Sequence, residues 1–185
     1  MKSALLALPA CALLAACSVS LPWAGNSGHP ASPGPALTAP TSEVRPAVGE
    51  SSLEGWIAGN RAYLDWNRAQ PGWTVTDSGL QYRRIGRAHP EGRQPAATDT
   101  VRVHYRGTFI DGREFDSSWS RNEPTEFPLN RVIRGWTEGV ALMREGERFE
   151  FVIPADLAYG DRWVGGDELP PQSTLLFTVD LLEVK

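Results

Sequence analysis

The stretch Val132-Ile133-Arg134-Gly135-Trp136 decides how the rest of the chain is organised. Its two β-branched residues predict the end of an extended segment, and the glycine permits a tight turn. A short helix over residues 136–143 is predicted to follow. Because apolar residues recur there at i, i+4 and i+7, one face of this helix should point into a core. That face consists of Trp136, Val140 and Met143.

Trp136 allows two interpretations. Most buried aromatic residues are simply part of a core. A tryptophan in the first turn of a helix also lies beside backbone N–H groups that have no partner in the helix, and it could form the floor of a small apolar pocket. Spacing alone leaves both interpretations open.

Length and composition limit the function classes. A chain of 185 residues predicts one domain with additional segments, and its net charge of -4 gives no electrostatic argument for nucleic-acid binding. Both cysteines, Cys11 and Cys17, lie near the N-terminus, so no downstream thiolate, disulfide or cysteine-ligated metal is predicted. The three histidines have no second ligand at metal-binding spacing. We therefore predict no metal and no cofactor.

The N-terminus is typical of a secretory signal. Lys2 precedes an apolar run from Ala4 to Ala16 that is too short to span a bilayer. Its end, Leu14-Ala15-Ala16-Cys17, resembles the bacterial lipobox. The resemblance implies that residues 1–16 are removed as a signal peptide and that Cys17 is lipidated, which anchors the chain to a membrane. The following Ser18 favours the outer membrane, facing the periplasm or the surface. The alternative is an ordinary secretory signal with an incidental cysteine.

Two segments precede the predicted domain. Residues 17–50 are rich in Pro, Gly, Ser and Ala, which predicts a tether. Residues 51–72 then predict a short amphipathic helix, with a capping box formed by Ser51 and Glu54 and an apolar stripe that Asn60 interrupts. This helix could pack on the domain or pair with a second copy of itself.

From Gly79 onward the apolar residues alternate, which predicts β-strands with one apolar face. Such strands form an antiparallel sheet covered on one side. With a single good helix in this region, the predicted fold is α+β: a curved antiparallel sheet wrapped around the helix at 136–143. An Asp-Gly turn at residues 110–113 should connect two strands. The alternating apolar positions are Leu80, Tyr82 and Ile85; Val101, Val103, Tyr105 and Phe109; Phe149, Phe151 and Ile153; and Leu175, Phe177, Val179 and Leu181.

Aromatic side chains should converge on one concave site. Alternation places Tyr105 on the core-facing side of its strand, where Trp136 and Phe177 should meet it. Phe115 can join them, and Tyr159 lies at the mouth of a long loop, residues 160–172. This convergence makes a pocket about as plausible as plain core.

Five motifs in one order resemble the FKBP-type peptidyl-prolyl cis-trans isomerases. The similarity covers residues 78–185, and the stretches Ser78-Gly79-Leu80-Gln81-Tyr82 and Glu126-Phe127-Pro128-Leu129 resemble the macrophage-infectivity-potentiator branch. The motifs are Val101-Arg102-Val103-His104-Tyr105-Arg106-Gly107, Asp111-Gly112-Arg113-Glu114-Phe115-Asp116-Ser117-Ser118, Val132-Ile133-Arg134-Gly135-Trp136, Ala158-Tyr159-Gly160 and Leu169-Pro170-Pro171.

The resemblance implies an enzyme that rotates X-Pro bonds in exported proteins, binds proline-containing segments and FKBP-directed macrolides, and needs no cofactor. The implied catalytic residues are Tyr105, Asp116 and Tyr159, and the implied substrate-binding residues are Phe115, Arg121, Val132, Ile133, Trp136, Leu169 and Phe177. Asp116 could act electrostatically on the twisted amide or only fix Tyr105 and Arg121. The alternative function is a non-catalytic chaperone or scaffold that binds proline-containing segments.

The chain departs from the family pattern in three places. Thr125 stands where many relatives have an aromatic residue, and Asp167-Glu168 adds acids before Leu169. The dimerising helical domain of the potentiator branch is reduced to about residues 51–69, so dimerisation is not implied.

Overall fold

The computed structural model describes residues 52–166 and 168–185. The predicted signal peptide, the lipidation of Cys17, the tether, Ser51 and Asp167 lie outside these residues. Within the two described ranges, no helix combines the length and the apolar character needed to cross a membrane.

The described chain forms two α-helices and seven strands. Two short 3-10 turns, Leu129–Arg131 and Ala155–Leu157, lie on either side of the second helix in sequence. The elements are α1 Leu53–Arg68, β1 Thr74–Val75, β2 Gln81–Ile85, β3 Thr100–Thr108, β4 Glu114–Ser117, β5 Thr125–Pro128, α2 Arg134–Val140, β6 Arg148–Ile153 and β7 Leu175–Val184.

All strands join one antiparallel sheet in the order β1-β2-β6-β7-β3-β4, and β5 also pairs with β3. The first half of β3 pairs with β5 and its second half with β4, while its other edge pairs with β7. The predicted turn at residues 110–113 connects β3 to β4: the Phe109 N–H donates to the Arg113 carbonyl at 2.9 Å, and Gly112 has φ +90°. The predicted α+β fold is confirmed.

Helix α2 begins and ends earlier than predicted. It starts at Arg134 and ends at Val140, and the chain continues to Met143 as a turn in which the Met143 N–H donates to the Val140 carbonyl at 3.0 Å. The inward face is as predicted, with Trp136, Val140 and Met143 all buried. A Cβ on Gly139 would lie 2.7 Å from the Phe151 ring, so the absence of a side chain lets α2 approach β6 closely.

The prediction that only one face of the sheet is covered is wrong. Helix α1 lies on the face opposite α2, where Tyr63 packs with Val152 and Leu176 in a second small cluster. Residues 149–153 of β6 are therefore all buried, although a half-covered strand would alternate. Among the two alternatives for α1, the structure has it packed on its own domain.

Two buried asparagines of α1 form hydrogen bonds to residues in the sheet or directly before one of its strands. Asn60 accepts a hydrogen bond from the Thr174 N–H (2.7 Å) and donates to the Trp56 carbonyl (2.8 Å). At the other end, Asn67 donates to the Gln81 side chain at 2.8 Å. Asn60, which interrupts the apolar stripe of α1, is thus a docking residue. The N-cap is Ser52, one residue later than predicted, and its hydroxyl accepts from the Gly55 N–H.

We expect Asn60→Ala to lower the free energy of unfolding by about 1–3 kcal/mol, because the buried Thr174 N–H then has no acceptor in α1. Chemical denaturation of the full chain measures this loss. Arg61→Ala is the matched control, since Arg61 is the exposed next residue of the same helix. Equal stability of the two variants would contradict the docking role of Asn60.

Candidate active site

Three aromatic rings form the centre of the site. Trp136 meets Tyr105 edge-to-face, with ring centroids 5.3 Å apart at 88°, and it meets Phe177 at 5.3 Å and 87°. Tyr105 and Phe177 lie 6.4 Å apart. Edge-to-face geometry adds stabilisation beyond the burial of area. Strands β3 and β7 and helix α2 therefore supply one rigid, apolar surface.

Phe115 extends this surface from β4. Its ring lies 5.5 Å from Phe177, edge-to-face, and 5.0 Å from Phe109. The approach requires Gly107, because a Cβ there would lie 2.6 Å from the Phe115 ring and 2.8 Å from the Phe177 ring. We use "aromatic pocket" for the set Tyr105, Phe115, Trp136, Tyr159 and Phe177.

A register shift in the β3–β4 ladder determines where the neighbouring carboxylate, that of Asp116, lies. Gly107 pairs with Asp116, but Thr108 pairs with Glu114, which leaves Phe115 between the two pairs. In a regular strand, adjacent side chains point to opposite faces. Irregularities of this kind re-aim side chains next to functional sites. Here Phe115 contacts the Phe177 ring while Asp116 bonds the hydroxyl of Tyr105.

Asp116, Tyr105 and Arg121 form one hydrogen-bonded network at the edge of the pocket. The Tyr105 hydroxyl donates to one carboxylate oxygen of Asp116, and Arg121 donates to the other. Arg121 also donates to the Tyr105 hydroxyl at 2.9 Å. Asp116 is 7% exposed, so water solvates its carboxylate poorly. The ion pair with Arg121 compensates for this loss of solvation. The predicted contact between Arg121 and Asp116 is present.

The charge of Arg121 is favoured in this network. Burial opposes its positive charge, but the hydrogen bonds to Asp116 and Tyr105, together with their charges, outweigh burial and raise the pKa of the Arg121 guanidinium above its usual value. Arg121 therefore keeps its charge at neutral pH and can hold both Asp116 and Tyr105.

The N-terminus of α2 brings backbone donors to the pocket. Ile133, which is 9% exposed, is the N-cap residue, and its carbonyl accepts from the Trp136 N–H at 2.9 Å. Among the described residues the Ile133 N–H donates to no group. The Trp136 indole N–H is also buried without an acceptor in that part of the chain. Buried donors without protein acceptors are uncommon, and each calls for an explanation such as a water or a ligand. Val132 packs against the same core, half-buried.

The loop after β6 contributes two buried residues to the core around the site. Tyr159 and Leu169 are 7% and 5% exposed and belong to the main core cluster. The loop is held by the Gln172 N–H, which donates to the Gly160 carbonyl at 2.8 Å, and by paired bonds between Val164 and Leu169 at 3.1 Å. The sequence-predicted site residues from four separate motifs therefore meet in space.

Two further residues shape the site and were not predicted as part of it. Phe127 lies 5.9 Å from the Tyr105 ring and 5.6 Å from the Trp136 ring. The Ser118 hydroxyl accepts from the Tyr105 N–H at 2.7 Å, which fixes the backbone behind the ring. Phe127 lay in the quoted Glu126-Phe127-Pro128-Leu129 stretch. Thr125, the departure from the family pattern, is half-buried in β5 opposite Val103.

Comparisons with known proteins agree with this geometry. The family model for the FKBP-type peptidyl-prolyl cis-trans isomerases matches residues 91–182. The FKBP-type 22 kDa peptidyl-prolyl cis-trans isomerase of Escherichia coli K12 is 45% identical over 159 residues, which cover 84% of this chain and 76% of that protein. The outer membrane protein MIP of Legionella longbeachae is 46% identical over 124 residues, 67% of this chain and 52% of its own length.

A solved structure supports the same family assignment. The crystal structure of FkpA from Escherichia coli superposes with a TM-score of 0.65 at 42% identity, over 72% of this chain and 62% of that one. The chain thus spans about half the length of the MIP relative and somewhat more of the FkpA structure. It belongs to the family of FKBP-type peptidyl-prolyl cis-trans isomerases, the enzymes that interconvert the cis and trans forms of X-Pro peptide bonds.

Proposed function

We propose that the aromatic pocket receives the proline ring of an X-Pro segment, with Trp136 as its floor. The observation that carries this assignment is the convergence of rings from β3, β4, α2 and β7 beside one ion pair, in which the Asp116 carboxylate is buried and Arg121 is exposed. The Ile133 N–H and the Tyr159 hydroxyl hold the chain on either side of the proline, so that the ring enters in one orientation.

The chemistry needs no nucleophile. Rotation about a peptide bond has a barrier of about 18–20 kcal/mol, because resonance stiffens the C–N bond and charges the oxygen. Twisting the bond removes this resonance, so the transition state is less polar than the planar amide. An aromatic pocket that excludes water therefore costs the planar form more than the twisted form. Each tenfold gain in rate requires about 1.4 kcal/mol of such differential binding.

Asp116 acts in this proposal by positioning Tyr105. Both of its carboxylate oxygens are engaged, one by the Tyr105 hydroxyl and one by Arg121. A carboxylate occupied in this way holds the Tyr105 ring at the angle at which it meets Trp136. This supports the positioning role over direct electrostatic action on the twisted amide.

We expect Asp116→Ala to lower kcat/KM about tenfold or more, a loss of about 1.4 kcal/mol or more in transition-state stabilisation. Tyr105→Phe, which removes the same hydrogen bond but keeps the carboxylate, should reproduce most of that loss. A coupled isomerisation assay with a short X-Pro peptide measures both variants.

Glu114→Ala is the control for these variants. Glu114 lies on the same strand but pairs with Arg106, 2.8 Å away, and none of its described contacts is with the pocket. Its removal should leave kcat/KM unchanged. Full activity of Tyr105→Phe beside an inactive Asp116→Ala would reject positioning and favour direct electrostatic action.

The proposed substrates are proline-containing segments of exported proteins, and FKBP-directed macrolides should compete for the same pocket. We also propose a location in the cell envelope, with the chain anchored through Cys17 at the outer membrane. This is supported by the apolar run before Cys17 and by the relative named outer membrane protein MIP.

We expect Cys17→Ser to release the protein from the membrane fraction of a bacterial host, because a thiol is the acceptor of the lipid. Fractionation and labelling with a radioactive fatty acid measure this. Cys11→Ser, earlier in the predicted signal, is the matched control and should leave the labelling intact. Labelling that survives Cys17→Ser would contradict the lipid anchor.

A further inference from the structure

We propose that Trp56, on the helix that precedes the isomerase domain, is a positioning residue for the reaction. It acts on the pocket in two ways: it holds the end of the loop that carries Tyr159 and Leu169, and it supports the ring of Phe115 from behind. The proposal rests on the proposed function of the aromatic pocket and adds to it a requirement for helix α1.

The first connection is a relay of hydrogen bonds. The Trp56 indole N–H donates to the Ser173 hydroxyl at 3.1 Å, and this hydroxyl donates in turn to the Pro170 carbonyl at 2.7 Å. Ser173 is 3% exposed and Trp56 is 8% exposed, so water competes little for these bonds. The relay joins residues that are 117 positions apart in sequence.

The second connection is a series of ring contacts. Trp56 meets Phe109 edge-to-face, with centroids 5.7 Å apart at 75°. Phe109 lies 5.0 Å from Phe115, which meets Phe177 at 5.5 Å. Trp56 is therefore two ring contacts away from a wall of the pocket. Close-packed side chains transmit displacements of this kind because interiors have few voids.

The loop between Tyr159 and Ser173 is held both from within and by α1. Its described internal backbone hydrogen bonds run from Arg162 to Tyr159, between Val164 and Leu169, and from Gln172 to Gly160. Trp163 at its outer part is 51% exposed. Helix α1 holds the segment just before β7 through Trp56 and through Asn60, which accepts from the Thr174 N–H at 2.7 Å. The position of Leu169 over the pocket thus depends on a helix outside the isomerase motifs.

The test uses the full chain and a short peptide with an apolar residue before proline. Trp56→Phe keeps a ring against Phe109 but removes the indole N–H, and we expect it to raise KM about threefold with kcat changed less than about twofold. Trp56→Leu also removes the ring contact and should raise KM about tenfold. The dissociation constant of an FKBP-directed macrolide should rise in parallel.

Asn67→Ala is the matched control. It breaks the docking of α1 at its far end, where Asn67 bonds Gln81, and should destabilise the fold without changing KM. In a Ser173→Ala background the relay is already broken, so Trp56→Phe should have no further effect on KM.

Two results would overturn the proposal. The first is an unchanged KM in both Trp56 variants. The second is an equal rise in KM for Asn67→Ala, which would show that any destabilisation of α1 raises KM. If the unsubstituted protein is active, either result leaves the proposed isomerase function unaffected. If the unsubstituted protein is inactive, the proposed function itself is wrong.

Discussion

Replacement of Trp136 by alanine is expected to lower the free energy of unfolding by about 3–5 kcal/mol and to remove most of the isomerase activity. The indole is 1% exposed and meets the rings of Tyr105, Phe127 and Phe177, so its removal leaves a cavity beneath the proposed position of the proline ring. Denaturant titration measures the stability loss, and a coupled peptide assay measures activity at a concentration of folded protein determined by circular dichroism.

Met143→Ala separates the two effects. Met143 lies on the same inward face and is fully buried, so its truncation should cost about 2–5 kcal/mol as well. Met143 lies beyond the C-terminal end of α2, whereas Trp136 lies in its first turn, so kcat/KM per folded molecule should remain near that of the parent. A Trp136→Ala variant that is folded and fully active would show that Trp136 is only a core residue.

Gly107→Ala is expected to lower kcat/KM about tenfold or more and the free energy of unfolding by about 1–3 kcal/mol. The new Cβ would lie 2.6 Å from the Phe115 ring and 2.8 Å from the Phe177 ring, so both rings must move. Because the two rings form adjoining sides of the pocket, their displacement changes its shape. Steady-state kinetics and denaturation measure the two losses.

Gly92→Ala is the control for Gly107→Ala. A Cβ at Gly92 would also lie too close to a neighbour, in this case the Glu145 backbone, and the residues that it would meet, Glu145 and His89, are not members of the aromatic pocket. It should therefore lower stability without lowering kcat/KM. Equal losses of activity in the two glycine variants would contradict the assignment of Gly107 to the pocket.

Much of the fold was predictable because its determinants are local. The alternation of Val101, Val103 and Tyr105 identified the inner face of β3, and all three residues are buried. The position of α1 was not predictable, because its docking depends on Asn60 and Asn67. Asn60 reads as a break in an apolar stripe, and the partners of the two residues, Thr174 and Gln81, lie in other elements of the chain. Because α1 covers the second face of the sheet, the coverage of that face was not predictable either.

Only those residues of the candidate site that lie in recognisable sequence motifs were predictable. Tyr105 and Phe177, taken from the family resemblance, contact Trp136. Ser118 was not predicted as a site residue, because a serine just after a strand gives no sign that its hydroxyl will bond a backbone N–H thirteen positions away. The placement of Asp116 beside Tyr105 depends on the register shift after Gly107, and a shift in pairing leaves no signal in the alternation of a four-residue strand.

The most direct test of the central claim is the rate of cis-trans exchange of a short X-Pro peptide with the full chain, with and without an FKBP-directed macrolide. We predict that the chain accelerates exchange well above the uncatalysed rate, which corresponds to tens to hundreds of seconds, and that the macrolide abolishes the acceleration. A folded chain that binds the peptide but leaves the exchange rate at its uncatalysed value would contradict the account and favour a non-catalytic binding module.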